Sequence, residues 1–510
     1  MFTLLLNRYQ GCSARRFLSA SSLLRVVLVL AILSARNIKA EPIVASAGVL
    51  SRLVFTDNLF LTAQRPEPAM IFQLTPNITG GRSGSRSSYR WYYGPSALFY
   101  SGDNSDLNRV FHVLQANASI DLVKEYFALQ LSANANQNLV DPTVQSTGFD
   151  AFGNPDAFAQ TASISVAPVI QFPLLRANVA TVRFAPGLNY VFAAKTAEGA
   201  RNAGSTGSQS NLTIASGDYF SRAPWDVAAF SNIFSRDNDN DNDNDNYNDT
   251  DGISNVRGTV TYPVSAKWNI QGLVGYEWGQ YESLSEPGGW RWRVTPYWSP
   301  SRNTSIGLGY GWRYFGADYF ASINYRRKKT VVTMSYEVVV SNARTALLDT
   351  PVVYFEDAFG EPIISPTSEQ TLAGSVSNPP LVAGVFLQYQ SLASIAHRIG
   401  RTTGYFSVNQ NRWDYQRSGI QVDDLQGSLL FNRALSRRTR GEVGAQYWLY
   451  SQFAVGAVDF DQFKIWGALS YQVNRRVSGS IRYFYNQRSS DTATQSFDEN
   501  GLWLTMNWGL

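Results

Sequence analysis

The sequence predicts an all-β protein, a transmembrane antiparallel outer-membrane β-barrel of about 20 strands (18–22 allowed). Three observations lead there. Period-2 alternation resumes in hairpin after hairpin from residue 43 to the end, as expected of strands whose two faces meet different surroundings. No stretch after residue 40 reaches the ~18 uninterrupted apolar residues of a spanning helix. The connections between alternating runs fall into two sets, one short and basic, the other mostly longer or more acidic, the asymmetry of periplasmic turns against surface loops.

Residues 462–487 show the unit. Phe463, Ile465, Gly467, Leu469 and Tyr471 alternate with Lys464, Trp466, Ala468, Ser470 and Gln472. After the turn Val473-Asn474-Arg475-Arg476, Val477, Gly479, Ile481, Tyr483 and Tyr485 alternate with Ser478, Ser480, Arg482, Phe484 and Asn486. An antiparallel hairpin with one apolar and one mixed face follows.

The amino terminus differs. Arg8, Arg15, Arg16 and Arg25 precede or enter an apolar run at 23–33, and Ile38-Lys39-Ala40 offers a cleavage site before Glu41. Residues 1–40 therefore read as a secretory signal peptide and 41–510 as one barrel domain. The only cysteine, Cys12, lies in that leader. An exported chain without disulfides needs another source of cohesion, and closed sheet hydrogen bonding supplies it. The chain carries 43 Lys/Arg and 39 Asp/Glu; removing the six basic residues of the leader leaves 37 against 39. No nucleic-acid partner is implied. The composition, 14% aromatic and 16% charged, suits aromatic girdles around a polar lumen.

In chain order, strands are expected at 44–59, 70–79, 87–100, 108–120, 126–137, 158–171 and 177–195, where alternating residues are bounded by Gly, Pro, Asn and Asp turn signals. Residues 197–253 read as a polar surface loop around the Asp-Asn alternation 237–246. That tract ends in Asp251-Gly252, but the EF-hand frame would put Tyr247 at the first ligand position and Gly258 at the twelfth. A hydrated low-complexity loop is the reading adopted, with no metal or cofactor expected. Thirteen further strands are expected at 254–262, 268–280, 289–298, 303–314, 318–325, 330–341, 383–394, 402–413, 422–434, 439–451, 462–472, 477–487 and 501–510, with a long loop at 342–382. Turns such as Arg326-Arg327-Lys328-Lys329 and Leu435-Ser436-Arg437-Arg438 mark the periplasmic side. Leu502, Leu504, Met506, Trp508 and Leu510 alternate to the carboxyl end; this resembles the carboxyl-terminal signature of outer-membrane barrels, with Leu in place of the usual final Phe, and the resemblance implies the barrel-assembly machinery as a partner.

Parity then selects a lumen. If Ile306, Leu308, Tyr310, Trp312 and Tyr314 face lipid, Arg313 faces inward, and the same rule places Glu277, Arg291, Arg293, Asn324, Asn409, Asn411, Glu442, Gln446, Lys464 and Arg482 inside. A charge on the lipid face would cost ~2–4 kcal/mol near the midplane. Trp448, Tyr450, Phe484 and Trp503 share the inward parity as stacking surfaces. Two readings stay open: a polar conduit, or a salt-bridged network filling the barrel. The catalytic inventory is poor. His112 and His397 are the only histidines and the mature chain has no thiol, so no His/Cys metal cluster is possible and no enzymatic activity is expected. A Ser-His arrangement around His112 is the remaining enzymatic alternative. Gly307, Gly309 and Gly311 lie inside a strand, so they are not a phosphate loop.

Particular words in the sequence carry a resemblance. Thr56-Asp57-Asn58, residues 108–118, Asp357-Ala358-Phe359-Gly360-Glu361-Pro362-Ile363-Ile364 and Leu435-Ser436-Arg437-Arg438-Thr439 resemble an uncharacterised outer-membrane barrel family associated with the PEP-CTERM/exosortase system, over most of 45–510. The resemblance implies a barrel beside exopolysaccharide export components, and supplies no catalytic residues. This chain departs in its Asp-Asn tract, in Ala358 and in the final Leu. The expected function is a pore or accessory channel for exopolysaccharide or another polar solute, embedded in outer-membrane lipid. The alternative is a structural barrel with a plugged lumen whose surface loops bind matrix or cell-wall polymer.

Overall fold

The computed structural model describes residues 44–139, 152, 158–174, 179–193, 204–236, 250–281, 287–342, 344–345, 348, 359, 385–453 and 458–509. The leader at 1–40, the Asp-Asn tract and most of the 342–382 loop lie outside the described residues. The strands are β1 (Val44–Thr56), β2 (Ala69–Ser83), β3 (Ser87–Tyr100), β4 (Arg109–Val123), β5 (Phe127–Leu139), β6 (Phe158–Leu174), β7 (Ala180–Ala193), β8 (Ser205–Ser216), β9 (Trp225–Arg236), β10 (Thr250–Pro263) and β11 (Trp268–Gln280). They continue as β12 (Gly288–Ser301), β13 (Thr304–Arg313), β14 (Gly316–Arg327), β15 (Thr330–Asn342), β16 (Val385–Ile399), β17 (Thr402–Tyr415), β18 (Gln421–Ala434), β19 (Thr439–Phe453), β20 (Phe460–Gln472), β21 (Val477–Ser490) and β22 (Phe497–Gly509). Each pairs antiparallel with its successor, and β1 pairs with β22 from Gly48↔Gly509 to Thr56↔Gly501. The sheet is therefore closed, the condition for a β-structure in hydrocarbon, where an unpaired backbone group costs several kcal/mol.

The described strands number 22, two more than the 20 expected. Both additions, β8 and β9, fall in the stretch read from sequence as the 197–253 surface loop, and that reading is corrected. In β8, Ser205, Gly207, Gln209 and Asn211 face the lumen while Thr206, Ser208 and Ser210 face out, so small polar residues occupy both faces and the period-2 contrast disappears. Partners β7 and β9 supply the pairing that local pattern does not advertise. Because two strands were added, the parity of everything downstream is unchanged.

The basic turns lie on one rim, together with the start of β1 and the end of β22. Three share one chemistry. Asn474 accepts from the backbone N–H of Arg476 (2.8 Å) and Val477 (3.0 Å), Ser436 from Arg438 (3.1 Å) and Thr439 (3.0 Å), and Ser265 from Lys267 (3.3 Å) and Trp268 (3.2 Å). A short side-chain acceptor at the turn's start thus satisfies N–H groups that the ladder has released.

At the opposite rim the Thr56-Asp57-Asn58 triplet staples the closing pair. Thr56 Oγ1 donates to Glu499 Oε1 (2.9 Å), the Asp57 carboxylate accepts from Asn500 N (2.7 Å) and Nδ2 (2.9 Å), and Asn58 Nδ2 donates to the Asp498 carbonyl (2.9 Å). Lower down, Arg52 on β1 donates to Thr505 on β22 and to Gln73 on β2, both at 3.2 Å.

The outer surface carries the large exposed apolar residues, among them Phe72, Trp292, Leu308, Trp312, Val443 and Trp508. No helix among the described residues is long and apolar enough to cross a membrane; the strands cross it.

Candidate functional site: the lumen wall

The residues selected by parity lie on the face opposite the exposed apolar band, and all but Asn324 fall into three clusters. On β11–β14, Glu277 (6% exposed) accepts from Arg291 Nη1 (2.7 Å) and, in a two-point contact, from Arg313 Nε (2.8 Å) and Nη2 (2.7 Å). Asp318 lies 3.7 Å from Arg291 and 3.8 Å from Arg293. Arg293 stacks over Phe320 at 4.4 Å and Arg313 over Phe315 at 4.6 Å. Three guanidinium groups thus meet two carboxylates.

The glycine stripe explains how they fit. A Cβ on Gly311 would lie 1.9 Å from the Trp292 carbonyl oxygen and 2.7 Å from Arg293 Cα; on Gly309 it would lie 2.5 Å from Thr295 Oγ1; on Gly307 it would enter the Tyr297 ring. The stripe lets the β12 side chains lie flat across β13. Tyr314, expected to continue the lipid-facing row, instead lies past the end of β13, where the strand alternation no longer holds; its hydroxyl and that of Tyr281 are hydrogen-bonded at 3.0 Å, and burial pushes both phenols above their ordinary pKa.

The second cluster surrounds the closing pair. Trp503 is 4% exposed, with Arg52 (4.8 Å), Arg482 (5.1 Å) and Lys464 (5.5 Å) around its ring. Phe484 packs on it edge-to-face at 5.4 Å and takes Lys464 at 4.6 Å. Glu442 accepts from Arg482 Nη2 (3.2 Å) and Trp466 Nε1 (2.8 Å). Cations against aromatic faces in a desolvated wall are attracted by the ring quadrupole. Phe152, from the β5–β6 connection, reaches in to stack on Trp503 at 5.5 Å.

The third cluster runs along β16–β20. Asn411 accepts from Gln388 Nε2 (3.1 Å), and Asn409 and Gln446 are buried beside it. Trp448 donates to Asp424 (2.9 Å) and packs on Phe460 (4.9 Å), which also stacks on Tyr450 (5.1 Å) and carries Arg488 at 3.6 Å. Asn324 joins none of these; it lies near the short-turn rim, exposed, donating to Ser322.

Burial changes along the axis. On β20 the inward Phe460, Gln462, Lys464 and Trp466 are buried, whereas Ala468 and Ser470 are half-buried and Gln472 exposed; β21, β22 and β1 repeat the gradient. The lumen is packed toward the long-loop rim and wet toward the short-turn rim on this side.

The β15–β16 connection contributes too. Just past β15, Arg344 bonds Asn189 on β7 and lies 5.5 Å over Phe234 on β9, and Thr345 accepts from Asn232 (3.1 Å). Phe359, within the resemblance motif, lies 4.6 Å from the Arg398 guanidinium, and its carbonyl accepts from Arg326, both arginines being inward residues at the short-turn rim. Arg344 and Thr345 toward one rim, and Phe359 toward the other, therefore lie against inward-facing wall residues.

Arg52, Asp318, Asp424, Arg488 and Glu499 also belong to the wall networks and were not among the expected lumen residues, although the alternation of β1, β14, β18, β21 and β22 puts all five inside. Phe152 and Arg344 carry no sequence signal. His112 faces outward, stacked on Tyr93 with its Nδ1 3.0 Å from that hydroxyl.

No protein-family model matches the chain, and no curated protein matches it. Solved structures do. The FrpB iron transporter from Neisseria meningitidis (F5-1 variant) is 9% identical, with 91% of this chain and 82% of that chain covered and a TM-score of 0.52. The siderophore receptor PirA from Acinetobacter baumannii is 7% identical over 92% and 81% (TM-score 0.48), and the ferric-catecholate import receptor Fiu from E. coli K12, closed form, 9% over 91% and 82% (0.47). At such identity the likeness to FrpB speaks for the fold. With the closed sheet and the apolar outer band, it establishes this chain as a large antiparallel β-barrel of the bacterial outer membrane.

Proposed function

We propose that the barrel is a conduit for a polar solute or polymer, exopolysaccharide being the cargo suggested by the family resemblance, and that its export components and the barrel-assembly machinery are its partners. The supporting observation is the character of the inner wall. Donor-rich Arg and Asn side chains alternate with flat aromatic faces (Trp413, Trp448, Phe460, Phe484, Trp503), which is the pairing that saccharide hydroxyls and ring C–H groups require. The packed half of the lumen makes the conduit a closed one at rest. Planar-bilayer recordings test this: stepwise conductance reduced by oligosaccharide is expected. Absence of conductance, together with unchanged polymer export in a deletion strain, defeats it.

One observation favours a second reading, a non-enzymatic structural barrel with an occupied lumen. Arg344 and Phe359 place parts of the β15–β16 connection inside the barrel, and Gln462, Asn486 and Asn411 are fully buried in the wall. Recordings with and without residues 346–384 separate the two: a conduit conducts with the connection in place, while a barrel filled by it conducts only after the deletion.

A further inference from the structure

Beside the arginine cluster, two neighbouring strands part toward the long-loop rim. Pairing between β14 and β15 runs from Arg327↔Thr330 to Ala321↔Tyr336 and stops. Beyond it, β14 remains paired with β13 to Gly316↔Arg313, and β15 with β16 to Asn342↔Val385. The break is thus confined to one seam, with Gly316–Phe320 on one side and Glu337–Asn342 on the other. One freed acceptor is met from within: Arg313 Nη1 donates to the Val338 carbonyl at 2.7 Å. A similar seam, between β4 and β5, is closed differently. Pairing there begins at Leu114↔Ala135, and the neutral Gln160 carboxamide accepts from His112 N (2.8 Å) and donates to the carbonyls of His112 (3.1 Å) and Asn136 (3.0 Å).

The charged seam has a binding chemistry that the neutral one lacks. Asp318 belongs to the part of β14 that is paired with β13 but not with β15 and is 1% exposed, yet its Oδ2 makes no hydrogen bond and stands 3.7–3.8 Å from Arg291 and Arg293. Arg293 makes no hydrogen bond among the described residues; its contacts are that ion pair and the Phe320 ring. A carboxylate or phosphate held by guanidinium groups sits at hydrogen-bond distance, ~2.7–2.9 Å. The site therefore has anion-binding capacity that its own acid leaves unused. Outside the same seam, Tyr310, Trp312 and Tyr319 are about half exposed on the lipid face, the amphipathic aromatics of a headgroup-level girdle.

We propose that the β14–β15 seam is a lateral binding site for an anionic amphiphile of the outer leaflet, its headgroup on Arg291, Arg293 and Arg313 and its chain along Trp312 and Tyr319. The headgroup takes over the charge role of Asp318, and the weakly paired β14 segment moves aside to admit it. This is independent of whether a polymer passes along the axis.

The test uses the full barrel in nanodiscs, with 11-(dansylamino)undecanoate as the fluorescent probe. Saturable binding is expected, displaced by dodecyl phosphate and not by inorganic phosphate. Arg293→Gln is expected to weaken it at least tenfold. Ala317→Cys paired with Val340→Cys, joined by a short disulfide-linked bridge, closes the seam and is expected to abolish binding until the bridge is reduced. Val338→Trp fills the seam without a bridge and is expected to act likewise. Heat-modifiable gel mobility reports that each variant is folded. Equal binding by the open and closed forms, or by Arg293→Gln, overturns the proposal. So does displacement by inorganic phosphate as effective as by dodecyl phosphate, which would make this a soluble-anion site reached from the lumen. Conductance recorded on the same samples keeps the axial reading separate: lost probe binding with conductance intact removes only the lateral site.

Discussion

The two sides of the lumen solve one problem in opposite ways. On β11–β14, three arginines meet two buried carboxylates, Glu277 at 2.7 Å from Arg291 and Arg313 and Asp318 at 3.7–3.8 Å from Arg291 and Arg293. On β19–β1, three cations share the face of Trp503, and Glu442, with its side chain 27% exposed, pairs with Arg482 at 3.2 Å. The first arrangement depends on acid–base partners, because a buried charge stripped of its partner keeps its desolvation penalty. The second depends on aromatic surface, so losing one charge there leaves the others on the ring. The ionic side should therefore be brittle to single charge changes and the aromatic side tolerant of them.

The largest expected effect tests that brittleness. Glu277→Gln orphans Arg313 and Arg291 together and should lower barrel stability by about 3–5 kcal/mol, read as the urea midpoint of the heat-modifiable band. Glu442→Gln should cost about 1 kcal/mol or less, its pair being partly exposed; equal losses would erase the distinction. Trp503→Ala should cost about 3–5 kcal/mol through the cavity it opens beneath Phe484 and Phe152, whereas Trp290→Ala, on the exposed outer face, should be close to neutral in detergent. Asp57→Ala removes two bonds to Asn500 across the closing pair and should cost about 1–2 kcal/mol. Its signature is faster hydrogen exchange at the rim ends of β1 and β22.

The smallest effect concerns pH. Tyr281 and Tyr314 have pKa values raised by burial in the folded barrel. A group whose folded pKa exceeds its unfolded value, about 10 for tyrosine, contributes stability that is complete below that value and fades as pH climbs toward the folded pKa. Titration at 295 nm should show these two phenols ionising above the ordinary tyrosine range. Tyr281→Phe should flatten the loss of stability above about pH 10. A wild-type titration with no late-ionising phenols would contradict it.

Much of the wall was legible in advance. Lys464, Arg482, Glu277 and Arg313 could be placed inside because their strand neighbours are apolar, and hydrocarbon forbids the opposite orientation. β8 was not legible, since Ser, Gly, Gln, Asn and Thr on both faces give alternation nothing to act on. Nor was the resemblance motif around Phe359, whose acidic and small residues read as surface loop but whose Phe359 lies among inward arginines. The Thr56-Asp57-Asn58 triplet was recognisable as a word, and its meaning emerged only when residue 57 was seen beside residue 500.

What the sequence determined by itself is which way each strand residue faces, because the two faces of a strand alternate strictly and the membrane punishes the wrong one. It also marked the turn rim, where short basic connections recur. Only the tertiary structure decided how many strands close the ring, which charges touch, and that the sheet parts beside Arg313. Those depend on register and on contacts between residues far apart in the chain, such as Glu277 with Arg313 and Arg52 with Trp503, and a local period carries no information about them.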